Sequence, residues 1–318
     1  MAEVVRIAGA HAPNPGVALV STSADHGVLL VSSGSDGVCR WNPDTGARLW
    51  RAAGTSDAAL GFATVHADGV PVLAAATEQA DIVRWDARTG EQLPGWGLCD
   101  SEFWGIDAAV LPGGRAIVVG AGEDGVFRID ALTGELVGDV LEPDTGALSV
   151  NCRTLDDGTV VIVCGNRGGQ VQRIDALTGQ LLGPPLQVQE TDIPDIARVT
   201  TVDLPGGATL VVGTEFEGLV HRWDLRTGEP VGEPIDAGEP LPDVSALRLA
   251  GESVLITSGY EQVVRCWHAV TGELLASLPR VARSCCGAGP NNTILLASLT
   301  RAGDLALDRL GTAAGPGR

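Results

Sequence analysis

The chain has 318 residues, 44% of them hydrophobic, and 43 are glycine, enough apolar material for an ample core broken by many tight turns. Forty acidic residues against 21 basic ones leave a formal net charge of −19, which sets the chain against nucleic-acid phosphates and anionic membrane surfaces. All the basic residues are arginine, which removes lysine chemistry, and neither a spanning run of about 18 apolar residues nor a secretory apolar core is present.

The chain opens on a short β-rich run, Val4–Ile7. A Thr-Gly pair then recurs at Thr45, Thr89, Thr133, Thr178, Thr227 and Thr271, at spacings of 44, 44, 45, 49 and 44 residues. The phrase RIDALTG is written twice, at Arg128–Gly134 and Arg173–Gly179. Four residues before each Thr stands Trp41, Trp85, Ile129, Ile174, Trp223 or Trp267, and five before it stands an arginine, except at Cys266. A seventh, decayed copy reads DLALDRLGTAAG from Asp304.

Each unit reads as four short strands. An innermost strand such as GIDAAVL turns through PGG or DDG into an apolar run such as AIVVGAG or TVVIVCGN. A second turn (SDG, EDG, RGG or FEG) leads to a strand such as VFRID, then the Thr-Gly turn and a shorter strand such as ELVGDV. No segment carries a 3.6-residue apolar stripe. Four strands in a period of about 40–45 residues make one propeller blade.

The expected fold is therefore all-β: a single seven-bladed β-propeller over residues 1–318, built of four-stranded antiparallel blades. Residues 1–9 supply the outer strand of blade 7, and 10–52, 53–98, 99–142, 143–190, 191–236 and 237–279 are blades 1 to 6. Residues 280–310 supply the inner strands of blade 7, and 311–318 are a flexible tail. Pairing of Val4–Ile7 with Leu305–Asp308 closes the ring and removes its open edge. Arg and Asp two positions apart share one side of a strand, which predicts an Arg–Asp ladder through five blades.

The sequences RWD at Arg84–Asp86 and Arg222–Asp224, RWN at Arg40–Asn42, and the recurring Thr-Gly-Glu resemble the Trp-Asp repeat propellers, in the form common in high-GC bacteria. The resemblance implies a scaffold that works within complexes. It also implies a buried hydrogen-bonded set of His11, Ser32, Asp36 and Trp41, in blade 1 alone. Departures are the near absence of the family's Gly-His pair, Ile129 and Ile174 in place of Trp, and His268 in place of Asp. The turn is also similar to the repeat of quinoprotein propellers, whose regular Trp is present here only as Trp50.

In such blades the second-to-third-strand loops and the inter-blade loops share one rim, which collects twenty of the forty acids. Among them are Glu78, Asp81, Asp100, Glu102, Glu123, Asp124, Glu142, Asp144, Glu215 and Glu239. Trp96, Phe103 and Trp104, beside Asp100 and Glu102 in GWGLCDSEFWG, form a candidate hot spot, although Trp104 also reads as the start of an innermost strand. Asp107, Asn151, Thr200 and Ser245 occupy matched innermost positions with Arg153, Arg198 and Arg248 nearby. They are either channel-lining groups or partners for backbone between blades.

Catalytic chemistry finds little footing. GAGEDG at Gly120–Gly125 is a hairpin rather than a strand-to-helix turn, so no dinucleotide site is expected. The five histidines lack zinc spacing, and the adjacent Cys285 and Cys286 lack a nearby histidine or a C-x-x-C pattern. Seven irregularly spaced cysteines suit a reduced cytoplasmic protein. The expectation is a non-catalytic, monomeric scaffold with no cofactor and no metal, docking a basic peptide or protein on its acidic top rim. The alternatives are a small-molecule binder or enzyme using the channel mouth, and carbohydrate recognition by rim tryptophans.

Overall fold

The computed structural model describes residues 3–11, 18–23, 27–52, 59–77, 81–94, 102–141, 146–188, 195–240, 243–249, 251–259, 263–279, 283–289, 293–299 and 304–310. Among them there is no helix, and the strands form seven antiparallel sheets. The first strand, β1 (Glu3–Ile7), does not join the sheet that follows it. Sheet 1 contains β2 (Ala18–Ser23), β3 (Gly27–Gly34), β4 (Gly37–Trp41) and β5 (Arg48–Ala52). Sheet 2 contains β6 (Ala59–Ala67), β7 (Val70–Thr77) and β8 (Ile82–Asp86). Sheet 3 contains β9 (Phe103–Val110), β10 (Ala116–Gly122) and β11 (Gly125–Asp130).

Sheet 4 is made of β12 (Ala147–Thr154), β13 (Val160–Asn166), β14 (Gln170–Asp175) and β15 (Leu186–Gln187). Sheet 5 is made of β16 (Ile196–Asp203), β17 (Thr209–Glu215), β18 (Leu219–Asp224) and β19 (Ile235–Asp236). Sheet 6 follows with β20 (Asp243–Leu249), β21 (Glu252–Ser258), β22 (Val263–His268) and β23 (Leu274–Pro279). In sheet 7, β24 (Arg283–Gly289), β25 (Thr293–Leu299) and β26 (Leu305–Leu310) are joined by β1, with Val4 opposite Asp308 and Ile7 opposite Leu305.

One rung runs through all seven sheets. Val31, Ala74, Val119, Val163, Val212, Ile256 and Leu296 lie on the second strands. Opposite them on the third strands stand Arg40, Arg84, Arg128, Arg173, Arg222, Cys266 and Asp308. On the first strands the same rung carries Leu19, Ala63, Asp107, Asn151, Thr200, Ser245 and Cys286. The second strands of sheets 3, 4 and 5 are buried along their length, because both sheet faces meet a neighbour.

Seven apolar clusters fill the spaces between sheets. Leu73 and Trp85 of sheet 2 pack with Val31 and Val38 of sheet 1, and Ile162 and Ile174 of sheet 4 pack with Ile117 and Val119 of sheet 3. The cluster of Leu30 and Trp41 with Leu295, Leu305 and Leu307 joins sheet 7 to sheet 1, with Val5 and Ile7 of β1 against it. First strands of successive sheets lie side by side, and β24 lies beside β2. A Val, Leu or Ile buried in such a wedge contributes about 1.5–3 kcal/mol, so the repeated apolar positions carry most of the cohesion.

The arginines do not form the expected ladder with the aspartates two residues on. Each aspartate caps its own turn: Asp130 Oδ1 accepts from the amides of Leu132 (3.0 Å) and Thr133 (2.9 Å), and Asp175 and Asp224 do the same. Asn42 and His268 fill this capping role in sheets 1 and 6. The turn glycines, from Gly46 to Gly272, take φ between +71° and +79°, where a side chain is strained.

Freed from the aspartates, the guanidiniums reach the turn of the next sheet. Arg128 donates to Ala176 O (3.0 Å), Arg173 to Leu225 O (2.9 Å) and Arg222 to Val270 O (2.8 Å). Their second nitrogens turn back to Asp139 O, Pro184 O and Glu233 O of their own sheets, and Arg84 likewise joins Ala131 O to Pro94 O. These accepting carbonyls sit in excursions that break the fourth strand. In sheet 3 the chain bridges Ile129 to Leu136, bulges at Gly138, and rejoins at Leu141 opposite Val126. Sheets 4 and 5 bulge at Gly183 and Gly232, with Pro184 directly after the first and Pro234 two residues after the second, and proline has no amide to give a ladder. Among the described residues sheets 2 and 3 have three strands and the other five sheets have four.

Candidate functional site

Antiparallel order places the second-to-third-strand loops and the loops between sheets on one side, the upper rim. Trp104, second in β9, is half-buried there, and the guanidinium carbon of Arg167, from the β13–β14 turn, lies 4.5 Å from the centre of its ring. Arg198 of β16 crosses from sheet 5 to donate to Trp104 O at 3.2 Å, and its Nε lies 3.6 Å from Asp243 Oδ1 on sheet 6. Burial raises the carboxyl of Asp195, and the charge of Arg167 opposes that rise. One connected polar group thus spans sheets 3 to 6 at the upper end of the first strands.

Around it, Glu102, Glu123, Asp124 and Glu217 are exposed, as is Phe216 at 39%. Phe216 was not singled out from sequence, although an aromatic residue in the tip of the FEG hairpin was the available signal. Phe103 is a correction. It is 1% exposed and packs edge-on to Phe127, because strand alternation turns it into the wedge between sheets 2 and 3. Asp81 is half-buried, and burial raises its carboxyl. Trp96, Asp100, Glu78, Glu142 and Asp144 lie outside the described residues.

Two acids placed on the rim by sequence are in fact buried. Glu215 sits 2.5 Å from His221 Nε2, and that imidazole stacks on Trp223. Burial dominates at His221 and lowers its pKa despite the carboxylate. Glu239 is 3% exposed and pairs with Arg265.

The set in sheet 1 forms as the resemblance implied. Trp41 Nε1–H donates to Ser32 Oγ (2.7 Å), which meets His11 Nε2 (2.7 Å), while His11 Nδ1 meets Asp36 Oδ1 (2.6 Å). Burial works to raise Asp36, but the hydrogen bond and charge of His11, with Arg51, outweigh it and hold the carboxyl below its usual range. Part of the arrangement recurs in sheet 6. There Trp267 donates to Thr257 Oγ1 at 2.9 Å, and a Cβ on Gly259 would meet Glu239 as one on Gly34 would meet His11, but the partner of Glu239 is Arg265, which stands opposite Thr257 as Cys39 stands opposite Ser32. The signal was the position of Glu239 ahead of Trp267, which parallels that of His11 ahead of Trp41.

On the first strands, Asp107 Oδ2 accepts from Asn151 Nδ2 (2.9 Å) and the Cys152 amide (2.7 Å), and Asn151 Oδ1 accepts from Thr201 Oγ1 (2.6 Å). Burial pushes the Asp107 carboxyl up to about 6, against the pull of these hydrogen bonds. Arg153 pairs with Asp203 on the next sheet. Asp107, Asn151 and Arg153 therefore tie neighbouring sheets together, while Thr200 and Ser245 share the rung of Asp107. The described thiols, Cys39, Cys152, Cys164 and Cys266, are free. Among the described residues no group of three His, Cys, Asp or Glu side chains is placed to hold a metal ion, and no helix is long and apolar enough to cross a membrane.

Residues 105–296, more than half of the chain, match the family described as Nucleolar protein 10-like, N-terminal domain, a β-propeller of the Trp-Asp repeat type. The chain belongs to that family. As a nucleolar protein 10-like propeller domain, it is similar in structure to the computationally designed Ika8 protein. The TM-score is 0.59 at 17% identity, over 94% of this chain and 98% of that one, a likeness of fold alone. No curated protein sequence matches.

Proposed function

We propose that the seven sheets are seven blades of one closed ring, and that the ring is a non-catalytic scaffold. In this reading its upper rim docks a basic segment of a partner protein. Closure is supported by the seat of β1: a Cβ on Gly46 would stand 3.1 Å from Val5 and 3.2 Å from Ile7. Gly179, Gly228 and Gly272 meet Leu141, Leu186 and Ile235 of the preceding sheets in the same way. Docking is supported by the exposed acids and aromatic residues of the upper rim. On the lower turns the capping aspartates are engaged, with pairs such as Arg88–Asp86, Arg115–Asp130 and Arg226–Asp157, while the turn glutamates Glu91, Glu135, Glu229 and Glu273 are exposed. On the upper rim Glu102, Glu123 and Glu217 are exposed and have no arginine partner among the described residues. Their place beside Trp104 and Phe216 carries the reading, since charge complementarity speeds encounter and makes association weaken with salt.

The test is affinity capture from the native host at low and high salt, with the chain and its Glu102→Lys, Glu123→Lys, Glu217→Lys variant as baits. A partner held at low salt, released at high salt and lost by the triple variant is the expected result. Recovery indifferent to both changes contradicts the proposal. The channel reading has less support, because Asp107 and Arg153 already have protein partners and Arg198 reaches over the upper end of the first strands.

A further inference from the structure

Arg167 is an exposed cation whose guanidinium lies over the Trp104 ring, within reach of the charge of Asp195. The Trp104 backbone is meanwhile pinned from the far side by Arg198. The ring is thus held fixed by a strand and a hydrogen bond from two sheets away, whereas its cation hangs from a hairpin turn. A surface contact of this kind is weak, about 0.5–1 kcal/mol, so another guanidinium in solution can compete for the same face.

We propose that the Trp104 ring is a receptor for an arginine side chain of a docking partner, and that Arg167 occupies the slot until the partner displaces it. The inference rests on the basic-partner reading above and narrows it to arginine over lysine. A planar guanidinium stacks on an indole face and has two edges free for carboxylates, while an ammonium is a strongly hydrated point charge. Asp195 beside the slot, with Glu102, Glu123 and Glu217 exposed on the same rim, supplies the matching charge. The partner segment is therefore basic and arginine-bearing, with one arginine engaging the ring and its neighbours facing the rim carboxylates. Loss of the Arg167 contact returns that side chain to water, which makes the exchange reversible.

The test uses the full chain with octa-arginine and octa-lysine peptides as probes, titrated at low salt by calorimetry. The variants are Arg167→Ala, Trp104→Leu, Trp104→Phe and the two double variants that combine Arg167→Ala with Trp104→Leu or with Trp104→Phe. Removing Arg167 also removes a positive charge from the rim, which strengthens both peptides equally. The vacated ring adds a gain for arginine alone. The expected result is that Arg167→Ala raises affinity for octa-arginine at least about threefold more than for octa-lysine. That excess disappears when Arg167→Ala is combined with Trp104→Leu and survives when it is combined with Trp104→Phe. Equal gains for both peptides, or an excess that persists without the ring, overturn the slot while leaving the acidic rim standing. If neither peptide binds any form at low salt, the rim reading fails and the slot fails with it. Thermal melts of each variant identify any loss due to misfolding, and the phenylalanine variant then decides the matter on its own.

Discussion

Sheets 2 to 5 and the seam where sheets 6, 7 and 1 meet hold their neighbours by different chemistry. In the arc from sheet 2 to sheet 5, every interface is clamped by an arginine that joins the bulge of its own outer edge to the turn of the next sheet. At sheet 6 the same rung holds Cys266, and β23 pairs along β22 from Val263 to Trp267 with one register shift, between Cys266 and Trp267, in place of the longer excursions of sheets 3 to 5. At sheet 7 the rung holds Asp308, buried and opposite Val4 of β1. The seam relies instead on the apolar seat of Val5 and Ile7 against Gly46, and on the buried sets anchored by His11 and Glu239. A repeat protein can thus keep one period while changing the force that joins successive units. Charge-assisted hydrogen bonds to backbone are directional and set register, whereas apolar seating tolerates the decay seen in DLALDRLGTAAG.

The sharpest way to break this contrast is to remove residues 1–9. Without β1 the outer edge of β26 is bare and Gly46 loses its cover, so the melting temperature should fall by roughly 5–10 °C; an unchanged melt would show that the seam does not depend on β1. Next in size is Arg173→Met, which strands Leu225 O, Arg226 O and Pro184 O. Its expected cost is about 3 kcal/mol in urea unfolding, against about 1 kcal/mol for Cys266→Ala. Equal costs would erase the difference between arc and seam.

The arc also carries a cost of its own at Asp107. Its folded pKa of about 6 lies above the ordinary value of 3.8, so the folded state holds the proton more tightly. Stability from this group therefore falls as pH rises from about 4 to 6 and is flat above that, by at most about 3 kcal/mol. Asp107→Asn should remove the fall. A gap between variant and parent that is the same at pH 4 and pH 7.5 would contradict the enclosure of this carboxyl.

The smallest effect sharpens the comparison between buried tryptophans. Trp41 and Trp267 each donate to a hydroxyl, but the Trp85 indole N–H is buried without a partner, because Ala75 stands where Ser32 and Thr257 stand in sheets 1 and 6. Ala75→Ser should stabilise the protein by about 1 kcal/mol in the same urea assay. A net loss would mean that the hydroxyl finds no route to the indole.

Much of the framework was legible in the sequence, because apolar runs bounded by turn signals follow from backbone sterics and burial. AIVVGAG is β10 to the residue, and the four matched polar positions on the first strands do share a rung. The partners of the arginines were not legible. Two residues apart on a strand means a shared side, but the turn beyond captured Asp130 and Asp175 first and left each guanidinium to the next sheet. Phe103 and Glu215 were misplaced for a related reason: loop-adjacent residues at a strand end still obey alternation, and alternation turned both inward. At the site, Trp104 and the exposed acids were within reach of sequence. The Arg167 stack and the Arg198 crossing were not, since each joins segments that only the assembled sheets bring together.

The claim on which the rest depends is that the last sheet is completed by the first strand. Hydrogen–deuterium exchange across Leu305–Leu310 in the intact chain tests it directly. The account predicts that amides facing β1 exchange as slowly as those facing β25, at rates like those of Val160–Asn166. If every second amide, on the β1 side, exchanged as fast as an exposed edge, the seam would be open and the account wrong.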